Sequence, residues 1–172
     1  MCGTMNVLVE VWAISADAQG LWLVNGGDAW RSAPIPQDSD THYEVEFILA
    51  EHGLVDDARL VHSTSWRADG PHIILTYIVV VDRNGPVPGK WPEALPVSAE
   101  LFEAVGPPPT NAAVDAPMPR YIDVLIHGIR HLRFLADYDA TARAAMPPAL
   151  LSHVTRLEPT LAGLYAREHA QD

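Results

Sequence analysis

Cysteine is nearly missing from this sequence: Cys2 is alone among 172 residues, which excludes an internal disulfide and a zinc site built from cysteine. Long hydrophobic runs are missing too. The longest, Ile73–Val81, is interrupted by Thr76 and falls far short of the roughly 20 residues a membrane-spanning helix needs. Basic residues are scarce, 11 against 22 acidic ones, for a formal net charge of -11. Such a surface repels a phosphodiester backbone, so no nucleic-acid partner is expected. Met1–Met5 carries no Lys or Arg and no apolar stretch of the kind a secretory leader has. A cytoplasmic protein with no membrane partner is the expectation.

Hydrophobic residues make up 48% and charged residues 19%, the composition of a globular chain with material for its own core. Asn6–Ser15 reads as a Val/Ile-rich strand with Glu10 and Trp12 on one alternating face, and Leu21–Asn25 as its antiparallel partner. Pro34 and Pro36 argue against a regular element between Trp30 and Asp40. Ser39 or Asp40 caps a predicted helix through Tyr43, Val45, Phe47, Ile48 and Leu49, and Gly53 suits its C-terminal stop. Arg59–Arg67 and His72–Asp82 read as a second strand pair, followed by a Pro/Gly-rich loop, Asn84–Pro96, and a short helix, Ala99–Val105.

Beyond the triple proline Pro107–Pro109 the pattern changes to helices. Ile122, Leu125, Ile129, Leu132 and Leu135 recur at helical spacing, as do Leu150, Val154, Leu157, Leu161 and Leu164, with a break expected at Pro159. The fold class is therefore α/β (α+β): a mixed sheet with an embedded helix over residues 1–106, a Pro-rich linker over 107–119, and a helical extension over 120–172. The extension is expected to pack on the core or on a second subunit.

The order strand, strand, Trp-containing loop, helix ending in Glu-x-Gly-Leu, strand, strand resembles the Nudix hydrolase family. Trp30–Pro34 (W-R-S-A-P) is similar to that family's W-x-x-P-G-G segment, and Ala50–Leu54 (A-E-H-G-L) to the E-E-x-G-U end of its catalytic box. The resemblance covers roughly Asn6–Asp82. It implies a Nudix-like fold with most of the catalytic box lost, because the positions of the box's helical carboxylates keep Glu51 but put Phe47 and Ala50 at the others.

Three groups of residues are candidates for chemistry. At about 100° per residue, Asp40, Glu44 and Glu51 fall within roughly 40° of one another on the helix. Oxygen ligands on a shared edge suit Mg²⁺ or Mn²⁺, with Glu44 and Glu51 as catalytic carboxylates; helix capping and a solvated face explain the same residues. His62, Thr64 and Trp66 share one face of a regular strand, and with Trp12 and Trp22 they are candidates to line a pocket for a flat, nucleotide-like ligand; cross-strand packing is the alternative. Asp123, His127 and His131 lie at i, i+4 and i+8 on one helix face, a spacing open to a transition metal or to ordinary packing. Three functions remain open: a non-hydrolytic binding or interaction protein, with its tail as a candidate homodimer contact, a divergent Mg/Mn-dependent pyrophosphohydrolase of nucleoside-diphosphate derivatives, and a structural or regulatory module acting through its helical tail.

Overall fold

The computed structural model describes residues 6–104 and 120–159. Cys2, the proline-rich segment 107–119 and positions Leu161 and Leu164 lie outside the described residues. The chain folds as an α+β protein around one mixed sheet. Strands β1 (Asn6–Ala16), β2 (Leu21–Leu23), β5 (Ala58–Asp69), β6 (His72–Val81) and β7 (Leu95–Val97) stand in the order β5-β6-β1-β2-β7. β1 is the hub. It pairs in parallel with β6 from Asn6↔His72 to Ile14↔Val80, and antiparallel with β2. Two short strands, β3 (Trp30–Arg31) and β4 (Ile35–Pro36), continue along the same edge of β1 as β2.

Parallel neighbours need a crossover. Here it carries helix α1 (Thr41–Glu51) over one face before the chain returns through β5. Asp40 is the N-cap and accepts from the His42 N–H at 2.9 Å. Gly53, at φ +64°, takes the left-handed turn after the helix that a side chain would disfavour. Val45, Ile48 and Leu49 of α1 are buried against Val7, Val9, Val11 and Ala13 of β1 with Val79 and Val81 of β6. The alternate residues of the same strands, Trp12, Ile14, Ile78 and Val80, face the opposite way. They meet helix α4 (Tyr121–Tyr138) through Leu125, Ile126, Ile129 and Leu132. Helices α5 (Ala140–Ala145) and α6 (Pro148–Val154) complete that side with Ala142, Leu150 and Val154. The helical segment thus packs on this chain's own sheet. No helix among the described residues is long and apolar enough to cross a membrane.

The proline-bearing segment Trp30–Asp40 does contain regular pairing, contrary to expectation. β4 seats Pro36 opposite Asn6, at the end of β1, where a short terminal pairing tolerates a residue without an N–H. The segment Asn84–Pro96 also holds structure, a one-turn helix α2 (Val87–Lys90) and the start of β7, ahead of α3 (Ala99–Ala104). α6 ends at Val154, ahead of Pro159.

One irregularity controls which residues of β5 face α4. Ser63 pairs with Tyr77 but Ser65 pairs with Thr76, so a bulge at Thr64 sets two residues of β5 against one of β6. A one-residue slip exchanges the faces of everything beyond it. Thr64 is buried and donates to the Thr76 carbonyl at 3.4 Å, Arg67 turns to the α4 side, and Trp66 turns away, 69% exposed. The expected shared face of His62, Thr64 and Trp66 is corrected accordingly: Trp66 leaves it.

α4 passes tightly over the sheet where Gly128 meets Ile78. A Cβ at Gly128 would stand 2.6 Å from Ile78 Cγ1 and 2.8 Å from Cδ1, with Ile78 fully buried. In an exposed helix, Gly→Ala stabilises by about 1 kcal/mol. Overpacking a closed core costs roughly 1–3 kcal/mol. Thermal denaturation of Gly128→Ala is expected to show a lower midpoint, and Ile78→Val in the same chain to recover part of the loss; a higher midpoint for Gly128→Ala would disprove the close crossing.

Candidate functional site

A charged residue lies in the middle of the most buried strand. Glu10 is 1% exposed, on the same face of β1 as Trp12. An isolated buried carboxylate is too costly to persist, so its partners define the site. Arg31 of β3, directly opposite Glu10 in the register, donates to Oε2 through Nε at 3.0 Å and Nη2 at 2.7 Å. Arg67 of β5, brought to this face by the bulge, donates through Nη2 to Oε2 at 2.7 Å and through Nη1 to Oε1 at 3.0 Å. Oε1 also accepts from Thr76 Oγ1 at 3.2 Å and from Trp12 Nε1 at 3.3 Å. Burial pushes the Glu10 carboxyl up, but the hydrogen bonds and charges of Arg67 and then Arg31 outweigh it and hold Glu10 below its ordinary value near 4.5.

Two guanidinia share one carboxylate, so the cluster carries one surplus positive charge on a strongly acidic molecule. Arg67 is largely covered, with 14% of its side chain exposed, whereas Arg31 is 49% exposed. Arg31 spends Nε and Nη2 on Glu10 and turns a fixed, half-exposed guanidinium outward. On the far side of Trp12 the ring of Tyr121, the first residue of α4, stacks at 6.0 Å and 23° and is itself 56% exposed. Arg31, Glu10, Trp12 and Tyr121 therefore form one continuous run of contacts, polar at one end and aromatic at the other.

The residues singled out from sequence are distributed differently. Trp12 lies in this cluster and His62 on the same sheet face, but Trp22 and Trp66 are on the other. Trp22 is held at the β1–β2 turn by its Nε1 donating to Asp17 Oδ1 at 3.0 Å, while Leu21 and Leu23 beside it enter the α4-side core. The four do not converge on one pocket. Asp40, Glu44 and Glu51 share an edge of α1 but not a point. At a rise of about 1.5 Å per residue, Asp40 and Glu51 are separated by roughly 16 Å along the axis and Glu44 and Glu51 by roughly 10 Å. Among the described residues no group of three or more His, Cys, Asp or Glu stands close enough to hold a metal ion. Nor is α1 packed on both sides of that edge, since Tyr43 and Phe47 are 69% and 61% exposed.

On α4, Asp123 is engaged by Arg120, whose backbone N–H and Nη2 donate to it at 2.9 and 2.8 Å. His127 and His131 are buried, and His131 faces His62 of β5, Nε2 to Nε2, at 3.0 Å. Burial pushes the imidazoles of His62 and His127 below their ordinary value, opposed at His62 by the charge of Asp139 and reinforced at His127 by Arg130.

Glu10, Arg31, Arg67 and Tyr121 escaped sequence reasoning. A signal for the first was present: a glutamate inside a Val/Ile-rich strand requires cationic partners. Which arginines supply them depends on the β1–β3 register and the Thr64 bulge, which no local pattern displays. No protein-family model matches the chain, and no curated protein matches it.

The titration directions agree in sign. As pH falls below about 6.5, an unfolded chain protonates His62 and His127 while the folded chain resists, so stability is present above 6.5 and declines toward their lowered folded values. Glu10 adds a second decline, from its ordinary value near 4.5 toward its lowered folded one. Chemical denaturation from pH 8 to 4 is expected to show monotonic loss in acid, with the first decline shallower in His62→Asn. Glu10→Ala leaves two guanidinia facing each other and is expected to cost about 3–5 kcal/mol; a cost below 1 kcal/mol would remove the cluster from its structural role.

Proposed function

We propose that this chain is a small-molecule binding protein on a Nudix-like scaffold, without metal-dependent hydrolase activity, and that its ligand is a nucleotide-like anion held at Arg31. The observation carrying this reading is the surplus guanidinium. Arg31 is fixed by the buried Glu10 and half-exposed, at the polar end of a run of contacts that continues through Trp12 to the open ring of Tyr121. A preorganised planar donor pairs bidentately with phosphate or carboxylate, and an aromatic ring at the other end of the run suits a flat base.

The scaffold reading is supported by the element order around α1 and by the meeting of the two motif segments. Trp30 of W-R-S-A-P stacks on His52 of A-E-H-G-L with ring centres 3.7 Å apart. The non-hydrolytic reading is supported by the box helix, where Glu51 alone keeps its place and Asp40 serves as the cap. A cytoplasmic setting and a homodimer are compatible with this reading, which requires neither.

Calorimetry against ADP, ADP-ribose and UDP-glucose tests it. At least one is expected to bind, and Arg31→Ala to weaken it. Loss of a charge-assisted contact worth about 1.5–3 kcal/mol lowers affinity by roughly one to two orders of magnitude. The fold persists in that variant because Arg67 still neutralises Glu10. With Mg²⁺ or Mn²⁺ present, hydrolysis of the same compounds is expected to be undetectable. Robust turnover abolished by Glu51→Gln establishes the pyrophosphohydrolase instead, and absence of binding across the panel overturns the ligand.

A further inference from the structure

We propose that His62 and His131 are the two protein ligands of a transition-metal site, selective for Zn²⁺ or a metal of similar preference over Mg²⁺. They come from elements far apart in the chain. His62 stands on β5 opposite Ile78, facing α4, and His131 lies one turn beyond Gly128, where α4 passes tightly over Ile78. Their Nε2 atoms meet in a hydrogen bond, and a metal takes the place of the shared proton, which shifts to the donor ring's Nδ1. The Nε2 atoms are 3.0 Å apart, with ring centres at 5.0 Å and planes 21° apart.

Two imidazoles bound to one tetrahedral zinc at about 2.0–2.1 Å place their nitrogens about 3.3 Å apart. The pair therefore needs to open by only a few tenths of an ångström. Burial favours the neutral imidazole at His62, the form that coordinates a metal. Asp139, at the junction of α4 and α5, places a negative charge near His62, while its Oδ1 accepts from the N–H groups of Thr141 and Ala142. Phe134 stacks on His131 at 5.8 Å and walls one side. Among the described residues β5 is the outermost strand, and His62 on it is half-buried.

Among the described residues no third His, Cys, Asp or Glu joins the pair at metal-holding distance, so the assignment stands on these two imidazoles. An open, nitrogen-rich site prefers Zn²⁺, Cu²⁺ or Co²⁺ and discriminates against Mg²⁺, which takes oxygen ligands. The site is separate from the carboxylate edge of α1, which lies against the other face of the sheet, and it does not depend on the anion reading.

Titration of the full chain with ZnCl₂ by calorimetry, paired with Co²⁺ absorption spectra, tests the assignment. One equivalent of zinc per chain is expected, with the intense visible bands of a low-coordinate cobalt site, and a tenfold excess of Mg²⁺ is expected not to compete. His62→Ala, chosen because the edge position tolerates truncation better than the buried His131, is expected to weaken zinc by about ten-fold or more. Cys2→Ser and His42→Ala, which remove a lone thiol and an exposed imidazole, are expected to leave it unchanged. Absence of uptake at millimolar zinc, or uptake unaltered in His62→Ala, overturns the proposal.

Discussion

A carboxylate placed inside a Val/Ile-rich strand sets the terms for the rest of this structure. Glu10 occupies the hub strand of the sheet at 1% exposure. It is tolerable there because four donor groups reach it and two of them carry charge. Those requirements propagate. β3 must pair with β1 in the register that sets Arg31 opposite Glu10, and β5 must carry the Thr64 bulge that brings Arg67 to the same face. A regular β5 would put Trp66 against that face and leave Glu10 with one guanidinium.

The same sheet divides its two faces between different tasks. The α1 face is almost wholly apolar and closes over Val7, Val9, Val11 and Ala13. The α4 face mixes a packed core around Trp12, Ile14 and Ile78 with the charged cluster and the histidine pair. Polar groups held in a dry setting interact strongly and are fixed in direction. That is why the half-exposed Arg31 and the facing imidazoles of His62 and His131 carry the functional readings, rather than the solvated carboxylates of α1.

What the sequence disclosed follows from how local each signal is. The Val/Ile alternation of β1, the Asp40 cap, the Gly53 stop and the three- and four-residue spacing of α4 depend on neighbours within a few positions, and each appears at its expected place. The carboxylate edge on α1 was legible as an angular alignment, but the axial rise separates its members. The aromatic pocket needed a regular β5, and one extra residue at Thr64 turned Trp66 to the other side. The Glu10 cluster joins positions 21 and 57 residues apart, and the His62–His131 pair spans 69, beyond the reach of periodicity.

Glu10 is an anion locked between Arg31 and Arg67, and its own titration reports that most directly. Carbon-detected NMR of the Glu10 side-chain carboxyl, followed from neutral pH into acid, measures the ionisation of that one group. A midpoint below the ordinary glutamate value near 4.5 is the result this account predicts. A midpoint above it would mean that burial outweighs the two guanidinia, and would contradict both the cluster and the surplus charge at Arg31.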